Sequence, residues 1–525
     1  MINFQAHLRA CLEVAFGDKK RQFFDETIYP EFTSGRRFLK CIPLGTDEKS
    51  DEVSAKKRWF LAQRVTSKHA LSYLCLCLSL CCAACTPTEE TKPPNVILIM
   101  VDDLGSADLG CYGHKEIQTP HLDQFAAEGL LFTQAYSGNT VCAPARSTLM
   151  TGLHSGHTQV RGNTGGIALP DSAFTVAELF KAAGYSTGGF GKWGLGDIGT
   201  GGVPEKQGFD QFFGYYHQIH AHDYYPAYLW NNSQKVPLPG IADDAASYSP
   251  YRIFEEMKLF IQANQEKPFF CYAPWTLPHG KYEIPAIDPT VQLYKDKTWS
   301  EKRKNYAAMT SLMDRQLGEL MQLLQSLQLD ERTLVIFCSD NGGDREFASD
   351  GVNGRLRGHK RDLYEGGIRV PMLVRWPGKI SPGRQTNEQV YFPDIMPTLA
   401  DVIGQKRGSL QGLDGLSFYK LLVDSNAALM DRILYWEYPH YDWDKKAYLD
   451  DQFKQALRFK NWKMIRNGKN QEWEFYDLRE DPAESDNIAA YHPGKMEKFQ
   501  EWIAKHRSEA PPQIEPEQEE GHAFR

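Results

Sequence analysis

The sequence predicts an α/β protein, with a large, mostly parallel sheet sandwiched by helices and a smaller C-terminal α+β subdomain. Three observations predict it. "NVILIMVDDLG" from Asn95 and "TLVIFCSDNGG" from Thr333 are apolar runs without polar alternation, each closing on acidic residues and a glycine turn. Strands buried on both faces read this way, and they belong at the centre of parallel sheets covered by helices. Helix patterns with end signals lie between the two runs, and such alternation of strand and helix builds a parallel sheet. Past about residue 415 the pattern changes to short alternating strands and one amphipathic helix.

The elements follow in order. Thr119 and Pro120 open a helix that Gly129 stops. Thr175 and Glu178 form a capping box for "TVAELFKAAG", which Gly184 ends. A longer helix carries Met313, Leu317, Leu320, Met321, Leu324 and Leu327 on one stripe. "FPDIMPTLADVIG" reads as another helix, broken near Pro397. The α/β domain is expected over 92–415. The C-terminal subdomain is expected over 416–510, with "ALRFKNWKMIRN" and "EWEFYDLRED" as strands and "GKMEKFQEWIAKHR" as its helix.

A net charge of -8 leaves no basic excess to displace phosphate counterions, so a nucleic-acid binder is not expected. Cysteine is concentrated in "LSYLCLCLSLCCAACTPTEE", residues 71–90; beyond it only Cys111, Cys142, Cys271 and Cys338 remain, with no CxxC pair. That excludes a disulfide scaffold or a structural zinc site. The apolar run 71–84 follows Lys56, Lys57, Arg58, Arg64 and Lys68, and is too short to span a bilayer but suits a secretory signal. Ala83 and Ala84 before Cys85 resemble a bacterial lipoprotein cleavage site. Lipidation is expected at Cys85, with Cys81 or Cys82 as alternatives and a cleaved signal without lipid as the other reading. Residues 1–70 are then expected to be an extension from a start assigned too early, the true start being Val65 or Leu71. The expected location is the periplasm or cell surface, with membrane contact only through the lipid.

Ligands of open α/β sheets bind where strands deliver their carboxyl ends. Asp102 and Asp103 end one apolar strand, Asp340 and Asn341 the other, and four oxygen-bearing side chains at one edge suit Ca²⁺, or Mg²⁺, better than zinc. Cys142 precedes "PARSTLMTG", a helix start where free N–H groups favour an anion and lower a thiol pKa. Read alone, it is equally a buried inert thiol.

"CAPARSTLMTG" carries the Cys-x-Pro-x-Arg pattern of type I sulfatases, in the alkaline phosphatase-like superfamily. "NVILIMVDDLG", "GKWGLG", "SDNGG", "HKRDLYEGGIRVP" and "WKMIRN…EFYDLREDPAES" resemble that family in the same order, over about residues 93–490. The resemblance implies that a maturation enzyme oxidises Cys142 to formylglycine (3-oxoalanine), whose hydrate attacks sulfur and whose second hydroxyl then ejects sulfate. It implies a divalent cation held by Asp102, Asp103, Asp340 and Asn341, with residue 142 among its ligands. Arg146 would hold the hydrate and screen the carboxylates. Lys192 and Lys360 would neutralise charge on the sulfate, and His279 would protonate the leaving oxygen.

One position departs. Many members read Gly-Lys-Trp-His-Leu-Gly, with a histidine that helps deprotonate the hydrate, and here that residue is Gly194. "YYHQIHAHDYYP" supplies His217, His220 and His222, of which His222 is expected in the active site as a catalytic or substrate-binding residue. Tyr215, Tyr216, Tyr224, Tyr225, Tyr228 and Trp230 form either a sugar-binding rim or a loop core. "HSGHTQVRGN" is expected to add substrate contacts through His157, Arg161 and Asn163. The expected activity is hydrolysis of sulfate monoesters on a sulfated carbohydrate. The alternatives are a phosphoester or phosphonate ester hydrolase and a sulfoglycan-binding protein without turnover.

Overall fold

The computed structural model describes residues 92–509 except 164–166, 406–409, 411, 443–444 and 446. The expected leader at 71–85 with Cys81, Cys82 and Cys85, and the expected extension 1–70 with Val65, lie outside the described residues. The large sheet consists of β1 (Asn95–Val101), β2 (Leu130–Phe132), β3 (Ser186–Lys192), β4 (Gln211–Tyr215), β5 (Tyr228–Asn231), β6 (Gln234–Pro237), β7 (Phe269–Pro274), β8 (Thr333–Ser339), β9 (Met372–Arg375) and β10 (Arg384–Thr386). Their order is β10-β2-β9-β8-β1-β7-β3-β4-β5-β6. The central block β8-β1-β7-β3-β4 is parallel throughout. Toward the edges β9 and β5–β6 pair antiparallel, and β10 returns parallel to β2.

Every residue of β1 is buried. Val96, Leu98 and Met100 enter one core with Leu149 of α2 (Cys142–Thr151), Phe180 of α3 (Val176–Ala182) and Leu399 of α6 (Ile395–Val402). Ile97, Ile99 and Val101 enter the opposite core with Phe125 of α1 (Pro120–Ala127), Met257 of α4 (Ser249–Ala263) and Leu317 of α5 (Glu301–Ser326). A strand apolar on both faces cannot set its register by hydrophobic pattern, because a one-residue slip still buries apolar side chains. Asn95 sets it instead. Its Nδ2 donates to Thr333 Oγ1 at 3.3 Å and its Oδ1 accepts from Phe269 N at 3.2 Å, pinning the three central strands at one end. At the other end Val101 then stands opposite Ser339.

The capping box is present: Glu178 N donates to Thr175 Oγ1 and Thr175 N to Glu178 Oε2. The expected break at Pro397 is absent. A short 3-10 turn, Phe392–Asp394, leads directly into α6, and Pro397 sits in the first turn of α6, where no intrahelical N–H is needed. The expected domain boundary at 415 also moves. Phe418, Leu421 and Leu422 pack into the first core, so the second sheet begins only at β11.

That sheet, β11 (Ile433–Tyr438), β12 (Lys454–Phe459), β13 (Trp462–Arg466) and β14 (Glu474–Asp477), is antiparallel in sequence order. One face takes Phe499 and Ile503 of α7 (Pro493–His506). The other packs Trp436 and Ile465 against Tyr136 and Val141, the segment entering α2. Trp436 Nε1 donates to Ser137 O at 2.8 Å, and Asn139 Nδ2 to Glu437 O at 2.8 Å. The small subdomain therefore fixes the approach to residue 142.

Candidate active site

The register of β1 and β8 brings Asp102 and Asp340 off the sheet at one edge. Asp103 follows with φ 62°, a left-handed conformation that an aspartate tolerates better than most side chains. This turn breaks strand alternation, so two successive carboxylates face the same space. Asp103 Oδ1 accepts from Asn341 Nδ2 at 2.7 Å, and Asp103 N donates to Asp340 Oδ1 at 3.2 Å.

Cys142 is the first residue of α2, and its Sγ donates to Asp102 Oδ1 at 3.3 Å. One turn on, Arg146 reaches Asp340 Oδ2 at 2.9 Å and Asp102 Oδ2 at 3.5 Å, and donates to Lys192 O. Lys192, ending β3, places Nζ 2.7 Å from Asp102 Oδ2. Lys360 Nζ lies 2.7 Å from Asp103 Oδ2 and 3.0 Å from His279 Nε2. His279 is held by Tyr224, whose hydroxyl donates to the carbonyls of Thr276 and His279 at 2.8 Å. His222 stacks on His279 with ring centroids 4.4 Å apart.

Burial pushes the Asp102 carboxyl upward, but Lys192, Arg146 and Lys360 together hold it well below the usual carboxylate range. Asp340 goes the other way, pushed up to about 7 by burial and by Asp102. Burial, then Lys360, keeps His279 well below an ordinary histidine, and burial, then His279, does the same to His222. Both imidazoles are neutral here.

The thiol corrects an expectation. Burial and the neighbouring Asp102 push Cys142 up to about 12, so the helix N-terminus does not produce a thiolate. Two further expectations fail. Arg161 is buried away from this cluster, donating to Glu437 Oε1 at 3.0 Å, to Ser508 O and to Thr158 O. His157 Nδ1 is turned to Asp414 Oδ2 at 2.9 Å. The short polar segment holding them links the large domain to the small one. Only Asn163 reaches the site, its Oδ1 accepting from Ala143 N at 3.3 Å, beside residue 142. Arg161→Ala is expected to destabilise the fold by about 1.5–3 kcal/mol, since it removes the buried ion pair to Glu437 and the hydrogen bonds to Ser508 O and Thr158 O, while Arg507 Nε remains 2.6 Å from the Glu437 carboxylate. Chemical denaturation measures this, and a change below about 1 kcal/mol would contradict the placement.

Four of the six aromatics of this segment form a loop core, while Tyr225 and Tyr228 are half-buried. Tyr215, Tyr216, Tyr224 and Trp230 are buried, and Tyr216 stacks on Trp230 at 5.2 Å. Sequence reading missed Gln218, a buried amide lying against Gly194. Its one signal was its position between Tyr216 and His222.

Asp102, Asp103, Cys142 and His279 each bring a ligand atom into a space less than 4.8 Å across. Asn341 supplies a direct test of fit for a cation. Its Nδ2 donates to Asp103 Oδ1 and Gly342 O, while its Oδ1 is buried without a hydrogen-bond partner. A buried carbonyl oxygen without a partner, on a side chain whose amide nitrogen already meets Asp103, fits a hard divalent ion.

The Sulfatase family model matches residues 94–405. The chain belongs to the sulfatase family. It is therefore a sulfuric ester hydrolase. A second model, N-sulphoglucosamine sulphohydrolase, C-terminal, matches residues 358–509. This sulfatase is similar to human arylsulfatase A, 34% identical over 69% of this chain and 74% of that one. It is similar to the N-acetylgalactosamine-6-O-sulfatase of Bacteroides thetaiotaomicron, 27% identical over 79% of this chain and 93% of the relative. Among solved structures it resembles Ps i-CgsB in complex with k-i-k-neocarrahexaose, with TM-score 0.68, 28% identity, and 78% and 93% of the two chains covered.

Proposed function

We propose that this sulfatase hydrolyses sulfate monoesters on a carbohydrate, with residue 142 matured from cysteine to formylglycine and Ca²⁺ held by Asp102, Asp103, Asp340 and Asn341. The observation that carries the reading is the position of Cys142. It opens a helix with its side chain 3.3 Å from the acidic quartet, and Arg146, Lys192 and Lys360 converge on the same carboxylates. Burial and Asp102 push the thiol up to about 12, which disfavours attack by a thiolate and fits a side chain that acts after conversion.

The hydrated aldehyde supplies one hydroxyl to attack sulfur and a second whose proton loss releases sulfate. The cation supplies Lewis acidity toward sulfate oxygens. The chain's own residues do the rest. Arg146 stays paired with Asp340 and orients the first turn of α2. Lys192 and Lys360 carry ammonium groups into a site closed to water, where charge stabilisation of a transition state is strongest. His279 is neutral until an anion arrives; negative charge beside it favours the imidazolium, which then has a proton for the departing sugar oxygen. The carbohydrate assignment draws on the relative named N-acetylgalactosamine-6-O-sulfatase and on the solved structure in complex with k-i-k-neocarrahexaose. The leader motif supports secretion as a lipoprotein, and the modification requires a maturation enzyme in the same cell.

Released sulfate from a panel of sulfated mono- and disaccharides tests the reading, together with the intact mass of the peptide containing residue 142. No release from any sugar by protein carrying the aldehyde would overturn it. His222→Ala is expected to lower kcat/KM by about tenfold to a hundredfold through loss of the stacked ring that positions His279. Near wild-type turnover would remove His222 from the active site.

A further inference from the structure

Gly194 stands where many sulfatases carry a histidine, and the space beyond it is filled from another part of the chain. Trp193 N and Gly194 N donate to Tyr215 O and Tyr216 O, both at 2.9 Å, and carry the β3–β4 pairing past the end of β3. Gly194 has φ 75°, in the left-handed region that favours glycine. A Cβ built there would face Gln218, with Cβ at 3.7 Å and Oε1 at 3.8 Å. The first group met beyond position 194 is therefore the carboxamide of Gln218.

Gln218 is 4% exposed, yet its Oε1 has no hydrogen-bond partner. Buried polar groups in folded proteins are almost always paired, so an unpaired acceptor packed against Gly194, two residues past Lys192, is available to a donor. The same segment places His222 on His279, which puts Gln218 between the Lys192 strand end and the imidazole pair in chain order. The chemistry of the ligand narrows the donor. An ionised sulfate ester has acceptor oxygens only, and these match the ammonium and guanidinium groups of Lys192, Lys360 and Arg146. Sulfate cannot satisfy a carbonyl oxygen. The alcohol portion of the ester can.

We propose that Gln218 is a specificity-determining residue whose carbonyl oxygen, beside Gly194, accepts a hydrogen bond from a hydroxyl or amide N–H of the sulfated sugar. This rests on the reading of the site as a sugar sulfatase. A pocket built to pair with a donor strongly rejects ligands that lack one, because its buried acceptor is then left unpaired.

Gln218→Met keeps the volume and removes the acceptor. The probes are N-acetylgalactosamine 6-sulfate, galactose 4-sulfate and galactose 6-sulfate, set against 4-nitrophenyl sulfate and inorganic sulfate, neither of which offers a donor. The variant is expected to lose about tenfold or more in kcat/KM on the sugar ester that the wild type cleaves best. Its rate on 4-nitrophenyl sulfate and its inhibition constant for inorganic sulfate should stay within about twofold. An unchanged thermal unfolding midpoint accompanies that result. Parallel losses on every ligand would overturn the proposal, since they mean that Gln218 serves the nucleophile or the fold. An unchanged sugar rate would overturn it too. Wild-type protein with residue 142 converted that cleaves none of the sugar esters overturns the sugar-sulfatase reading and this inference with it, before any variant is made.

Discussion

Cys142→Ala is expected to abolish turnover, with kcat lower by about four orders of magnitude or more, while binding of sulfate esters survives. The side chain makes one hydrogen bond, to Asp102, and is otherwise packed in a buried helix start, so alanine removes a single sulfur atom from a site whose other contacts are unchanged. Arg146, Lys192 and Lys360 remain in place to hold the anion. Calorimetric titration with a sulfated sugar should therefore report an affinity close to that of the parent, and single-turnover assays should report no burst of product. Residual activity above about one per cent would mean that another group attacks sulfur. The unmodified thiol gives a second check. With its pKa at about 12, only about one molecule in ten thousand carries thiolate at pH 8. Unconverted protein is expected to resist iodoacetamide at that pH until it is unfolded.

Much of this architecture was legible because burial writes itself into sequence. β1 and β8 are buried at every position and apolar apart from polar end residues, which predicted central strands, and the acidic residues that follow predicted where a ligand binds. The motif residues Asp102, Asp103, Cys142, Arg146, Lys192, His279, Asp340, Asn341 and Lys360 lie in separate stretches and meet at that edge. What was not legible depended on neighbours distant in the chain. Arg161 looks like a free cation beside the nucleophile's helix until Glu437 of the second sheet is placed against it. The thiol pKa follows helix position only when solvent reaches the helix end, and here Asp102 and complete burial outweigh the backbone N–H groups. Pro397 reads as a breaker unless the helix is known to start just before it. The aromatic run after β4 was ambiguous between rim and core. The packing of Tyr216 on Trp230 decided it for the four buried rings.

Removal of the divalent cation is the other change expected to silence the enzyme. Three carboxylates, Asp102, Asp103 and Asp340, share one buried space with Arg146, Lys192 and Lys360, so each cationic side chain has a carboxylate partner without an ion. Such a site can stay folded when stripped, with each ammonium resting on a carboxylate. Its cations are committed to those carboxylates rather than to a sulfate ester. A bound divalent ion would add positive charge for the ester, and the buried Asn341 Oδ1 would be free to ligate it. Dialysis against a chelator is expected to lower kcat/KM by about a thousandfold or more, with recovery on adding Ca²⁺. A readout independent of activity follows from linkage: at a hundred times its Kd the ion should stabilise the folded protein by about 2.7 kcal/mol, visible as a rise in Tm. Asn341→Leu removes one oxygen ligand and keeps the volume, so the calcium concentration giving half of that rise should increase by about tenfold. A Tm indifferent to calcium in both proteins would mean that the lysines alone satisfy the acidic quartet, and the cation would have no place in this site.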